Sequence, residues 1–485
     1  MNFKISRINF YLIFCGLLTL LTFLESEQKS FIFFLHSTIL TFTIHSLFIG
    51  IIESWSVLFL SIYITIKTYT YTLGFEIGKE AIAAFFLSNL TDFKSFIGYE
   101  FVFLTCILVF IVYLKSKIKL KKSHKDYLII AVSIVIGLLT TFLPKTEKIS
   151  NLFFKTQPYT SIGDLIHVIK KHKESKKVIL NDVFHKLDTA NFQKDTDIIL
   201  VIGESARGDR FSLNGYKKET NPMLKKQKNI YSFNAESCSN STNLGVPCLL
   251  SYQTKSRFSL PEKYENIVLV MKKLGFKTHY YSIQNLRRNI DIIKSCELSD
   301  VCKMGIGGLD ENLIQKLKNA LKNTKTPNFI ILHQHGSHTA YHERFREDFA
   351  KFTPYCTKNP RSCKKQELDN VYDNTILYTD FVLNNIIENL KNRKSVMFYT
   401  SDHGESLGEL GRLGLTYGHG GLYQTNEQKN VPFIIWHSDK FSSKKLSLKN
   451  TPKLSHDSLF FSILGSLNIS LKDKKDTDNN LNIFQ

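Results

Sequence analysis

The chain predicts two structures in series: an N-terminal five-helix transmembrane bundle, then an exported α/β domain with a mostly parallel central sheet. Three observations predict them. Residues 1–145 are dense in Phe, Leu, Ile and Thr and hold five long apolar stretches. Beyond residue 195, short apolar runs without alternation recur between helix-patterned segments, as buried parallel strands do. The six cysteines outside the apolar stretches all follow them, where an oxidising compartment would give them a purpose.

The apolar stretches are roughly Ile8–Leu24, Phe31–Ile52, Trp55–Leu73, Phe101–Leu114 and Tyr127–Leu143. A spanning helix needs about 20 mostly apolar residues, so the first and fourth draw on their flanks. The third carries Lys67, placed to snorkel or to face the bundle. The first lacks a small-residue cleavage signature and more spans follow it, so it reads as a span rather than a signal peptide. The loop YLKSKIKLKKSHKDY holds Lys115, Lys117, Lys119, Lys121, Lys122 and Lys125 and belongs in the cytoplasm, as do Lys4 and Arg7. Five spans then leave everything after Leu143 outside, which in a Gram-negative cell is the periplasm. The outer segment GFEIGKEAIAAFFLSN is amphipathic, suited to a lipid entrance or to packing under the exported domain.

The formal charge of +20 could mean nucleic acid or an anionic membrane. No zinc finger, RNP-like strand or basic recognition helix is present, so the membrane is the partner expected and nucleic acid is not. Cys15 and Cys106 lie in spans as apolar filling. The others form close pairs: Cys238 with Cys248, Cys296 with Cys302, Cys356 with Cys363. Six cysteines admit many pairings, and closure within each pair is the simplest.

Residues 146–195 read as a linker with surface helices, SIGDLIHVIKKHKE among them, and 196–485 as the catalytic domain. Asp197–Ile202 is a short apolar strand. NIVLVMKKLGFKTHYYS gives a helix end, a turn at Gly275 and a strand. TPNFIILHQHGSH, KSVMFYTSDHG and NVPFIIWHS supply further strands, and LDNVYDNTILYTDFVLNNIIENL a long helix. In such sheets ligands gather beyond the carboxyl ends of strands. Three polar clusters sit at such ends: Gly203-Glu204-Ser205, the histidines from His333 to His338, and Asp402-His403.

Glu204, Asp402 and His403 are oxygen and nitrogen ligands of the kind zinc accepts. Each alone is more often a solvated cap or a surface turn. Three strand ends delivering them to one edge favour a metal. Between Cys238 and Cys248 lie Ser239, Ser241 and Thr242. A hydroxyl-rich stretch is usually just a loop. One of these hydroxyls on a metal would lose its proton readily and become a nucleophile. Chemistry alone does not choose between Ser241 and Thr242.

With IGESARGDRFSLNGY, SCSNSTNLGVPC, HQHGSH, FTPYC, YDNTILYTD and SDHGESLGE in hand, the chain resembles the lipid A phosphoethanolamine transferases, over nearly its whole length. These are multi-pass inner-membrane enzymes with a periplasmic alkaline-phosphatase-like domain. The resemblance implies transfer of phosphoethanolamine from phosphatidylethanolamine to lipid A or another periplasmic acceptor, lower lipid A charge and resistance to cationic peptides. It implies Zn2+ held by Glu204, Thr242, Asp402 and His403, with Thr242 as nucleophile and a phosphoethanolamine-threonine intermediate. His338 and His419 match histidines that bind the substrate phosphate or a second zinc. Asn285 in YYSIQNLRRNID matches an Asn of the donor-lipid loop, with Arg287 or Arg288 supplying a positive charge. The run GELGRLGLTYGHGG departs from the family by extra residues before His419. A monomer in contact with membrane lipids is expected.

The alternatives are weaker. A sulfatase needs a Cys or Ser in a C/S-x-P-x-R element, and none surrounds Thr242. A membrane phosphoglycerol transferase or a phosphodiester hydrolase shares the fold but fits the cysteine pairs and SDHGESLGE less well. Five spans with one Lys make a poor transporter. A non-catalytic envelope binding protein would not need Glu204, Thr242, Asp402 and His403 together.

Overall fold

The computed structural model describes residue 170 and residues 179–485, except 287–288, 323–325, 359, 410–416, 421–424, 442–453, 474–476 and 485. The five expected spans, the segment 74–89 and most of the 146–195 linker lie outside the described residues. No helix among the described residues is long and apolar enough to cross a membrane.

A two-stranded ladder of β1 (Leu187–Asp188) and β11 (Ser470–Leu471) joins the two ends of the described region. The main sheet is built around β2 (Asp197–Gly203), whose sequence DIILVIG is buried throughout. Its side chains alternate between two cores. Ile198, Leu200 and Ile202 pack with α1 (Thr242–Leu250), α2 (Ile267–Lys273), α3 (Ile290–Leu298) and α6 (Asp457–Ser466). Ile199 and Val201 pack with α4 (Asn312–Leu321) and α5 (Lys365–Leu390). A strand covered on both faces needs no polar alternation, which is why its sequence shows none.

The sheet has seven strands in the order β3 (Ile230–Glu236), β10 (Asn430–His437), β7 (Ser395–Ser401), β2, β6 (Asn328–His333), β4 (Lys277–Ser282), β5 (Val301–Lys303). β2 runs parallel to β6 and β7, and β4 parallel to β6 and β5. β10 is antiparallel to both β7 and β3, so the sheet is mixed, with a mostly parallel centre. The short hairpin of β8 (Ser406–Leu407) and β9 (Tyr417–Gly418) projects beyond the carboxyl end of β7. The three disulfides close within their pairs: Cys238–Cys248, Cys296–Cys302 and Cys356–Cys363.

Candidate metal and nucleophile site

Parallel register brings the three polar clusters together. Gly203 pairs with Ser401 and Ile202 with His333, so Glu204, Asp402 and the histidine run leave the sheet side by side. Backbone bonds continue past the strands: Asp402 N–H donates to Gly203 O at 3.0 Å, and Gln334 N–H to Ile202 O at 2.9 Å. Ser205 adopts a left-handed φ of 58°, a conformation disfavoured for residues other than glycine. The turn is held on its far side by Tyr372, whose hydroxyl donates to Ser205 O at 2.6 Å and accepts from Arg207 N at 3.0 Å. Gly336 is required by closeness as well as by its φ of +52°: a Cβ there would sit 2.6 Å from Glu204 O.

The segment between Cys238 and Cys248 reads in the sequence as a loop, but it is helical from Thr242 onward. α1 begins at Thr242, with Ser241 extended in front of it. Gly245 allows the helix to lie on the strand end, where a Cβ would meet Asp402 O at 2.9 Å. The geometry separates the two adjacent hydroxyls. Ser241 Oγ faces Ser239 Oγ at 3.4 Å. Thr242 Oγ1 lies 3.3 and 3.1 Å from Glu204 Oε1 and Oε2, and 3.2 Å from His403 Nε2.

Around His403 Nε2 the remaining donors close in. Glu204 Oε1 lies at 3.3 Å and Asp402 Oδ2 at 3.4 Å. His403 Nδ1 bonds Gly404 O at 2.8 Å, which leaves Nε2 turned to the cluster. Glu204, Asp402 and His403 are fully buried. Asp402 Oδ1 accepts from Ser205 N and His403 N at 3.2 and 2.8 Å, whereas the buried Oδ2 accepts no hydrogen bond. Burial, and next the Glu204 carboxylate, push Asp402 up to about 8. Against burial, the Asp402 and Glu204 carboxylates hold His403 up at about 10, and His403 in turn holds Glu204 well below the usual carboxylate range.

This donor set fits a divalent metal. Ligands about 2.0–2.1 Å from a tetrahedral ion stand roughly 3.3–3.4 Å apart. The separations of 3.3, 3.4 and 3.2 Å from His403 Nε2 to Glu204, Asp402 and Thr242 lie close to that edge. The orphaned Asp402 Oδ2 and the crowding of two buried carboxylates are what a cation would relieve.

His419 joins from the hairpin. Glu204, His403 and His419 each bring a donor atom within 4.8 Å of the others. The His419 ring stands 4.1 Å from that of His403 and 5.5 Å from that of His338, centroid to centroid. His419 Nδ1 bonds the buried Glu405 at 2.6 Å, and Tyr341 donates to the other Glu405 oxygen at 2.8 Å. The structure thus brings Glu204, Thr242, Asp402, His403, His419 and His338 to one place. Asn285 is exposed, beside Gly305. Its neighbour Gln284, which the sequence did not single out, donates to Glu204 Oε2 at 2.9 Å. Glu405 was also missed; its position two residues past His403 was the available signal.

The sulfatase family matches residues 196–469. The C-terminal periplasmic domain of phosphoethanolamine transferase EptC from Campylobacter jejuni is 33% identical, with 63% of this chain and 98% of that one covered and a TM-score of 0.55. The chain belongs to the phosphoethanolamine transferases of the sulfatase family. Among curated members of this transferase family, EptA of Helicobacter pylori is 36% identical over 283 residues, 55% of this chain and 53% of its own. The chain spans about half the length of the curated relatives it matches. The fold likeness extends further: the integral membrane lipooligosaccharide phosphoethanolamine transferase A of Neisseria meningitidis superposes over 99% of both chains, with a TM-score of 0.77 at 21% identity.

Proposed function

We propose that the protein transfers phosphoethanolamine from phosphatidylethanolamine to lipid A or another periplasmic acceptor, from an inner-membrane anchor of five helices in residues 1–145. The observation that carries this reading is Thr242 Oγ1, set between Glu204 and His403 at the start of α1. Zinc is the metal this reading assigns to Glu204, Thr242, Asp402 and His403, where it would lower the pKa of the threonine hydroxyl.

Thr242 Oγ attacks the phosphorus of the donor lipid, the bond from phosphorus to the glycerol oxygen breaks, and diacylglycerol leaves. Phosphoethanolamine remains on Thr242 until an acceptor phosphate or hydroxyl takes it and the threonine is regenerated. His338 and His419, beside the cluster, bind those oxygens. Donor and acceptor lie in one membrane plane, which accounts for the apolar stretches ahead of the domain. The names of the relatives, phosphoethanolamine transferases EptA and EptC, support the transferred group.

Mass spectrometry of lipid A and envelope proteins, with the gene present and deleted, tests the reading. An added phosphoethanolamine that depends on the gene is expected. Its absence from every envelope lipid and protein would sink the proposal.

A further inference from the structure

His419 is presented by residues 417–420. Among the described residues the β8–β9 ladder pairs Ser406 with Gly418 and Leu407 with Tyr417. Side chains add further holds on the segment that carries the imidazole. Gln428, 2% exposed, is attached to this segment. Its Nε2 donates to Gly418 O at 2.9 Å, one residue before His419. Its Oε1 accepts from Asn240 Nδ2 at 3.1 Å, two residues before Thr242. Its own carbonyl accepts from Gly404 N at 2.8 Å, one residue after His403. Next to it, Lys429 O accepts from Ser237 N at 2.8 Å. A local role is the plainer alternative, because Gln428 also touches Thr425. Those contacts are the long ones, however: Thr425 N to Oε1 at 3.4 Å and Gln428 N to Thr425 Oγ1 at 3.3 Å.

We propose that Gln428 is a positioning residue that sets His419, anchoring its segment to the disulfide-closed stretch that carries Thr242. A primary amide suits the task because one branch donates and the other accepts. The Gly418 carbonyl accepts and the Asn240 amide donates, and Gln428 serves both. The Cys238–Cys248 bridge makes the anchor stiff. The bond that Glu405 makes to His419 Nδ1 fixes the ring's rotation, while Gln428 fixes its backbone. The inference rests on the reading of His419 as a group that binds the transferring phosphoryl.

The test uses the full chain in detergent, with labelled phosphatidylethanolamine as donor and lipid A as acceptor. Gln428→Met keeps the shape and removes the side-chain bonds to Gly418 and Asn240, along with the long one from Thr425 N. It is expected to lower kcat about 10–100-fold, since small misplacements at a reacting centre have effects of that size. Donor KM should stay within about twofold and bound zinc should be unchanged, because binding and the strand-end donors are left in place. Added to His419→Ala, Gln428→Met should cost less than about twofold more, the mark of two residues acting through one interaction. Multiplying effects, zinc lost in step with activity, or a wild-type rate in Gln428→Met beside a slow His419→Ala would each overturn the positioning role alone. A wild-type rate in His419→Ala would instead overturn the role of His419, and this inference with it. Should Gln428→Met fail to fold, Asn240→Ala removes one end of the same contact. The same non-additivity with His419→Ala is then expected, and independent effects would count against the proposal.

Discussion

The site is assembled from two kinds of scaffold. Glu204, Asp402 and His403 stand at the ends of parallel strands, where backbone register alone makes them neighbours: Gly203 faces Ser401, and Asp402 N bonds Gly203 O. His419 follows the β8–β9 hairpin, and the side chains of Glu405 and Gln428 bond its ring and the backbone beside it. Strand ends buried between two cores cannot shift without disturbing those cores. A hairpin held by side chains can be released by one substitution. The first half therefore holds its charged groups in fixed geometry, while the second depends on individual side-chain bonds.

The largest effect is expected at Thr242, the proposed nucleophile, which starts α1 against the strand-end donors. Thr242→Ala should lower transfer by at least about 10³-fold, the scale on which removal of a nucleophile acts. Donor lipid incubated without acceptor should leave phosphoethanolamine on Thr242 in the wild-type chain, read by peptide fragmentation. Ser241→Ala should keep most of the activity, because Ser241 Oγ faces Ser239 and not the donors. An adduct on Ser241, or diacylglycerol released by Thr242→Ala, would refute the geometry.

Next come the strand-end donors. Glu204→Gln and Asp402→Asn each remove a charged oxygen from the cluster and should reduce bound metal and transfer together, by about 10²-fold or more in affinity. Metal measured by elemental analysis of the purified chain decides this. Full occupancy in both variants would exclude these two residues as ligands.

The hairpin half should respond differently. Glu405→Leu removes the acceptor for His419 Nδ1 and for Tyr341. A loss of roughly 10–100-fold in rate is expected, as when a carboxylate that orients a histidine is removed, with metal content kept. If the metal leaves as readily as in Asp402→Asn, the two halves are not separable and the comparison fails.

The contrast between the halves also explains what could be read ahead of the structure. VMFYTSDHG and IILVIGES announce themselves, because an apolar run buried on both faces that ends in charge has few uses. β10 read as one more strand, but its antiparallel direction is set by its pairing with β3, and β3's half-exposed sequence IYSFNAE carries little periodic signal. α1 was hidden because Ser, Asn, Gly and Pro signal turns, while the packing of Gly245 on Asp402 and the Cys238–Cys248 bridge favour a helix. His419 was legible only through motif likeness. Gln284, Glu405 and Gln428 act over separations of 80, 14 and 188 residues to Glu204, His419 and Asn240, and no local pattern marks such contacts.

The mildest test concerns His456, which ties the Thr242 stretch to the strand end on the rigid side. Its Nδ1 accepts from Cys238 N at 3.1 Å, and its Nε2 bonds Ser401 O at 2.9 Å. Both contacts require the neutral ring with its proton on Nε2, since a proton on Nδ1 would face the Cys238 N–H. Burial pushes this histidine down to about 3, from an ordinary value of 6.5. Between those values the unfolded chain binds a proton that the folded chain refuses, so stability falls as pH falls through this window and is fully present above it. At pH 5 the loss from this one ring is about 2 kcal/mol, and at pH 7.5 it is negligible. His333, pushed down by burial to about 4, acts in the same direction, so the informative measurement is a difference between variants. Melting midpoints of the wild-type chain and of His456→Asn, compared at pH 7.5 and pH 5, supply it. His456→Asn, which cannot titrate, should start lower at pH 7.5 and fall less on acidification. Equal falls in the two proteins would show that the fold does not keep His456 neutral through this window, and that the rigid half is not latched by this ring.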